Sequence, residues 1–243
     1  MAQTINVEGI VLSVQEYKEK DALVKILTES EIIQFRARGV QKVNSKNRTL
    51  CQPFSRVNLD LMKNNSFYFL IQGSCIEYYY FIQEDLVLQS IFFVLRDILI
   101  MTKISPDLYR SFMSALRAFQ IGLANAYSWA CLCVKEIIEK QGIAPYVRGC
   151  VQCHTLNGLE TISIENGGFL CSKCNHGQHN KYKKEEMVEF YSLFKVSFND
   201  FDRFVDMYLM SAEQFLFLCH WFEYHMHVQL KSVQFLKSVL MMK

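Results

Sequence analysis

The sequence predicts an α+β multidomain chain: a run of short strands, then helices, with a small cysteine-bearing hairpin set into the helical part. Three observations carry that reading. Apolar and polar residues alternate over the first 80 positions, which is the period of a half-buried strand. From Glu84 onward apolar residues recur three and four apart, which is the period of an amphipathic helix. Between the helical patterns, Cys150, Cys153, Cys171 and Cys174 form two C-x₂-C pairs in the most glycine-rich stretch.

The first strand pattern runs through Ile5, Val7, Gly9 and Val11, with Asn6 and Glu8 between them. Ala22–Thr28 and Ile32–Arg38 follow, then Arg56–Met62 and Phe67–Gln72, with Cys75-Ile76 continuing the last. Turn residues separate them, and no helical period is convincing before residue 84. Five strands in about 80 residues suit a small closed barrel, and the OB-fold is a common barrel of that size. The expected N-terminal domain is therefore a five-stranded OB-fold β-barrel over residues 1–80.

Residues 81–243 are expected to form an all-α C-terminal domain. Leu86, Ile91, Leu95 and Ile98 mark a helix over Glu84–Met101, and Ser105-Pro106 opens the next, running to about Ala124. A third spans Tyr127–Gln141 and stops at Gly142. After the cysteines, helical patterns return at Lys184–Phe194, Phe201–Met210, Ala212–His227 and Ser232–Leu240.

The cysteine segment is expected to be a zinc ribbon at about 148–176, inserted between helices. Each C-x₂-C pair puts two thiolates on one tight turn, and two facing turns give the tetrahedral four-sulfur cage of a structural Zn²⁺. Between the pairs, Thr161, Ile162 and Ile164 suit a strand, Asn166-Gly-Gly168 a turn, and Phe169-Leu170 the return. Two disulfides, or four unrelated thiols, are the alternatives. No signal peptide is evident at Met1-Ala-Gln-Thr4, which points to a reducing, cytoplasmic setting. The remaining cysteines (Cys51, Cys75, Cys131, Cys133, Cys219) read as small core residues. Cys₄ ligation would leave a metal no open position, so its role would be structural. His154, His176 and His179 read as solvated loop residues; His220, His225 and His227 as packing and polar-face residues of one helix.

With 51% hydrophobic residues, including 19 Phe and 12 Tyr, the chain of 243 residues can bury a substantial core. No apolar run approaches the roughly 20 residues of a membrane span. The net charge is only +2, and four thiolates around one Zn²⁺ would cancel it. Any affinity for nucleic acid must then come from a local patch. The segment Arg36–Arg48 supplies one: Arg36, Arg38, Lys42, Lys46 and Arg48, with no acidic residue among them. A flexible basic loop at a barrel rim can follow a phosphate backbone with little base specificity. Arg56, Lys18, Lys20 and Lys25 are weaker extensions of that surface. Tyr17, Phe35, Phe54 and Tyr68 read as core or near-core. Lys181-Tyr-Lys-Lys184 is a second basic run, suited to a helix start or an acidic partner. No G-x-x-x-x-G-K-[ST] loop and no H-x-E companion to the cysteines is present, so neither nucleotide hydrolysis nor deaminase chemistry is indicated.

Several segments together resemble one family. They are G-I-V-L (9–12), E-Y-x-E-x-D (16–21), L-x-K-I-L-T (23–28), F-R-A-R-G-V (35–40) and L-x-Q-P-F-S (50–55). The C-x₂-C…G-G-F-L-C-x-x-C ribbon (150–174) and a closing H-x-x-x-x-L-K-S-x-x-F-L (225–236) complete the set. In order and spacing the chain resembles the RecO family of bacterial recombination mediators over essentially its whole length. The resemblance implies a non-enzymatic protein of DNA repair that binds single- and double-stranded DNA and anneals complementary strands. It also implies work with RecR to load the RecA recombinase onto DNA coated by single-strand-binding protein, and binding of that protein's acidic C-terminal tail. It places DNA on Arg36, Arg38, Lys42, Lys46 and Arg48, one structural Zn²⁺ on the four cysteines, and the protein in the cytoplasm with the nucleoid. One departure stands out: Thr28-Glu-Ser-Glu31 occupies a turn where the family usually has glycine. The competing reading is an OB and zinc-ribbon scaffold whose main partners are proteins.

Overall fold

The structure of the protein is a computed structural model that describes residues 3–42, 44–65 and 67–242. Met1 and Ala2, at which a leader was sought, lie outside them. Two compact units are present: Met1–Gln89 with Lys103–Arg110, and Ser90–Thr102 with Ser111–Lys243.

The first unit contains β1 (Gln3–Tyr17), β2 (Asp21–Leu27), β3 (Ile32–Ala37), β4 (Ser55–Asn64) and β5 (Phe67–Tyr78). They close into a barrel in the order β1-β2-β3-β5-β4, with β4 pairing back onto β1. Neighbours are antiparallel except β3 and β5, which run parallel with Arg36 opposite Phe69. β1 is long enough to serve two partners, β4 along residues 3–10 and β2 along 10–17. Two features let it change partners. A side chain at Gly9 would strike the carbonyl of Leu27, so only glycine permits that close crossing. A register shift between Val11 and Ser13 then bends the strand. Alternation sends Val11, Val24, Ile26, Phe35, Leu59 and Leu61 into a sealed interior. The turn that lacks the family's usual glycine is closed by Thr28, whose hydroxyl donates to the Glu31 carbonyl (2.8 Å) and accepts the Glu31 N–H (3.2 Å).

Two expectations for this unit need correction. Cys75 is exposed, because residues 71–76 of β5 all face solvent. Tyr17 is 37% exposed at the end of β1, not a core residue. Phe35 and Phe54 are buried as expected.

Short α1 (Phe81–Glu84) precedes α2 (Leu86–Ile100). The Asp85 carboxylate accepts the N–H groups of Val87 (2.7 Å) and Leu88 (3.1 Å), which fixes the start of α2. Next come α3 (Pro106–Ala118) and α4 (Leu123–Lys140). The expected continuation to about Ala124 fails at Gly122, whose φ of 141° no right-handed helix accommodates. The cysteine insertion follows as β6 (Leu159–Ser163), β7 (Gly168–Cys171) and α5 (Ser172–Asn175). The chain then forms α6 (Lys184–Leu193), α7 (Phe201–Met207), α8 (Ala212–Met226) and α9 (Lys231–Met241).

α7 stops before the expected Met210. The Ser128 hydroxyl of α4 donates to the Tyr208 carbonyl (3.2 Å) and accepts the Met210 N–H (2.9 Å), drawing that stretch out of the helix. α8 then starts at Ser211, which exchanges a capping box with Gln214. Tyr127 of α4 meets Phe215 of α8, and Trp129 of α4 meets Phe201 of α7. Lys135 of α4 is buried with its charge satisfied by Glu139 (2.9 Å), Glu136 (3.2 Å) and the Val196 carbonyl (3.0 Å). Such complete pairing is the condition for a buried cation. No helix among the described residues is long and apolar enough to cross a membrane.

Candidate metal centre and basic barrel face

The four cysteines arrive on two turns braced against one hairpin. Cys150 donates its N–H to the Thr155 carbonyl (2.9 Å), and its own carbonyl accepts the His154 N–H (2.9 Å), closing the first turn. Val151 N–H to the Phe169 carbonyl (2.7 Å) fastens that turn to β7. The tight fit requires Gly168, since a Cβ there would run into the Tyr146 backbone. Cys171 ends β7, and Cys174 lies one helical turn on, in α5. Fully buried Asn175 locks the chain beyond Cys174: its amide donates to Glu160 (3.0 Å) and the His179 carbonyl (3.0 Å), and its oxygen accepts the His179 N–H (2.9 Å).

The four sulfurs lie within 4.8 Å of one another, and those of Cys153 and Cys171 are 3.6 Å apart. A tetrahedral cage with metal–sulfur bonds of ~2.3 Å has sulfur–sulfur edges of ~3.8 Å, whereas a disulfide needs ~2.05 Å. All nine cysteines are free, so the disulfide alternative falls. Burial alone would push the Cys150 thiol up, yet the N–H groups of Cys153, Cys171 and Gln152 aim at it and bring it down to about 6. Cys174 is pushed up to about 12, first by its hydrogen bond with Cys153, then by burial. Four sulfurs this close cannot all ionise without a cation between them. The donor set therefore fits a metal ion. No histidine or carboxylate among the described residues joins the cluster.

The basic segment takes a different form. Arg36 points outward from β3 and forms two hydrogen bonds to Asp21 (2.8 and 2.5 Å). Asp21 also accepts the Gly39 N–H (2.9 Å). The Gly39 N–H, and then Arg36, hold the Asp21 carboxyl below the usual carboxylate range. Arg36 is thus clamped as well as charged. Beyond it, backbone hydrogen bonds close successive four-residue turns. Lys42 N–H bonds the Gly39 carbonyl (3.2 Å), Ser45 the Lys42 carbonyl (3.1 Å) and Arg48 the Ser45 carbonyl (3.2 Å). The Asn47 amide reaches back to the Arg38 carbonyl (3.1 Å), and buried Val40, Leu50 and Cys51 anchor the segment.

Arg38, Lys42, Lys46 and Arg48 remain exposed and join no ion pair among the described residues. The Arg38 guanidinium lies over the Phe69 ring (5.7 Å) and that of Arg36 over Tyr17 (5.3 Å). Arg56, expected to extend this surface, is neutralised by Glu8 (2.5 Å). The sequence reading missed Asp21 as a clamp and the outward rings of β5. Finding them needs the β3–β5 register, which no single-strand pattern supplies.

A cavity of about 770 Å³ lies beside the ribbon. Leu159, Phe169 and Met187 give it an apolar lining, and exposed Arg148, Lys181 and Lys184 contribute cations. Lys181 is held by Glu160 (2.8 Å).

Fold and sites together define a class: proteins in which a small closed barrel with a basic loop is followed in the chain by helices bearing a four-cysteine, metal-type cluster. Residues 1–79 match the family model described as "Recombination protein O N terminal". The DNA repair protein RecO of Bacillus pumilus (strain SAFR-032) is 30% identical over 175 residues, covering 70% of this chain and 68% of that protein. The RecO of Bacillus subtilis (strain 168) is 27% identical over 69% of this chain and 67% of its own length. For the RecO of Exiguobacterium sibiricum the figures are 27%, 81% and 80%. The chain belongs to the RecO family, whose curated relatives are DNA repair proteins.

Proposed function

We propose that this chain is a non-enzymatic recombination mediator of DNA repair: an OB-fold module at residues 1–80 holds DNA, and a helical module at 81–243 holds one structural Zn²⁺. The observation that carries the reading is the set of cations at Arg38, Lys42, Lys46 and Arg48, which no acidic group of the described chain neutralises. Surface cations without internal partners are available to phosphates, and each phosphate bound releases condensed counterions. Arg36 contributes charge to the same face but is first a clamp on the loop. Backbone-directed contacts of this kind hold strands of any sequence. Two strands held on one basic face repel each other less, which favours annealing. In the cytoplasm, at the nucleoid, such a protein acts with RecR to place RecA on single strands coated by single-strand-binding protein. The cavity beside the ribbon suits that coating protein's acidic tail, since an apolar floor meets the cations of Arg148 and Lys184 there, Lys181 being held by Glu160.

Cys150, Cys153, Cys171 and Cys174 would hold the zinc, which supplies a structural crosslink and no open coordination position. The test is annealing of complementary labelled strands by wild type and by Arg38→Ala/Lys42→Ala/Lys46→Ala/Arg48→Ala, with circular dichroism confirming the fold. Annealing by wild type, lost in the folded variant, supports the reading. A wild type that binds neither single strands nor duplex rejects it in favour of a protein-binding scaffold.

A further inference from the structure

β5 carries an unusual outer face for a soluble barrel. Tyr68 and Leu70 turn toward the core, so Phe67, Phe69 and Ile71 turn away from it. Phe67 is 63% exposed and Ile71 49%. Register places Phe69 directly opposite Arg36 of β3 on one side and Met62 of β4 on the other. Tyr17 stands at the far side of Arg36, and Arg38 lies over Phe69. Three rings and two guanidinium groups therefore share one outward surface, continuous with the basic loop.

We infer that this surface is a base-stacking platform that selects unpaired strands over duplex, with Phe67 and Phe69 taking bases while Arg38 and the loop cations take the adjoining phosphates. The inference rests on the DNA-binding reading and adds the form of DNA preferred. In a duplex the faces of the bases are hidden against one another, and a protein ring meets only sugar and phosphate. A single strand offers every base face to a ring, whatever its sequence. Alternate residues on a strand are about 6.7 Å apart, close to twice the ~3.4 Å rise per base along a strand. One base can thus lie between the Phe67 and Phe69 rings. Charge argues for the same occupant. Asp21, the carboxylate beside Arg36, is already taken by Arg36 and Gly39, so the exposed cations of Arg38 and the loop remain for a polyanion.

The experiment separates bases from phosphates. Labelled oligothymidylate, an abasic strand of the same length and a duplex are titrated against wild type and Phe67→Ala/Phe69→Ala. Wild type is expected to bind oligothymidylate about tenfold more tightly than the abasic strand. The variant is expected to bind the two equally, with its salt dependence unchanged because the phosphate contacts remain. Phe67→Trp should retain affinity, and its emission should be quenched by oligothymidylate but not by the abasic strand. Phe67 is exposed and Phe69 half-buried, so the thermal midpoint of Phe67→Ala should hold; should Phe69→Ala lower the midpoint, Phe67→Ala alone is read. Equal binding of normal and abasic strands by wild type would overturn the stacking platform while leaving the phosphate reading in place. A base preference that survives in the variant would also overturn it. Binding of no strand at all would remove the DNA reading and the platform with it.

Discussion

The cysteine ribbon and the basic loop are both short irregular segments dense in charge, glycine and turns, and they satisfy that charge in opposite directions. In the ribbon, backbone N–H groups and four converging sulfurs point inward at one another, and Asn175 seals the turn behind them. In the loop, backbone hydrogen bonds fix the path while Arg38, Lys42, Lys46 and Arg48 point away from the chain. The lesson is that a charge cluster is read by where its counter-charge lies. Arg36 makes the point within a single strand: two residues from Arg38, it is spoken for by Asp21.

The comparison can be broken most forcefully at the ribbon. Cys171→Ser, or prolonged chelation, is expected to leave the helical unit insoluble or partly unfolded, because a structural zinc held by such a cage would contribute on the order of 10 kcal/mol of folding-coupled binding. Far-UV circular dichroism with metal analysis checks this, and a soluble, normally folded, zinc-free Cys171→Ser protein would contradict it. Gly168→Ala is next. Its methyl meets the Tyr146 backbone, which cannot yield as a side chain can, and a loss of about 2–4 kcal/mol is expected in urea unfolding.

The clamp at Asp21 sharpens the other side. Asp21→Ala should cost about 1.5–3 kcal/mol at neutral pH, the range for hydrogen bonds to a charged group. Because folding depresses this carboxyl's pKa, its contribution is full above the unfolded value of ~3.9 and is lost as pH falls through the folded one. Wild-type and variant stabilities should therefore converge once the pH has fallen through the depressed folded value of this carboxyl; a gap that persists at the acid end would assign the loss to packing instead. The smallest effect belongs to Arg56→Ala. Its charge is matched by Glu8 at the surface, so stability should change by less than ~1 kcal/mol and the salt dependence of DNA binding should not change.

Much of this architecture is legible in the sequence because it rests on local periodicity. Alternation marks all five strands, and the C-x₂-C pairs with Asn166-Gly-Gly168 mark the ribbon hairpin. The features that were not legible depend on partners distant in the chain. α7 ends early because of Ser128, about 80 residues away, and Cys75 lies in a run of β5, residues 71–76, that is exposed on both faces. The turn-to-turn hydrogen bonds of the loop and its buried Val40, Leu50 and Cys51 leave no compositional trace either. Of the five expected DNA residues, four share the free, outward disposition and Arg36 does not. The aromatic face could not be found without the β3–β5 register.

The most direct measurement is the slope of log K against log salt for single-strand binding by wild type and by Arg38→Ala/Lys42→Ala/Lys46→Ala/Arg48→Ala. If these cations meet phosphates, the slope falls in magnitude by about 3, near 0.7 for each charge removed, while the thermal midpoint stays where it was. An unchanged slope in a folded variant would contradict that assignment and move the DNA off the barrel loop.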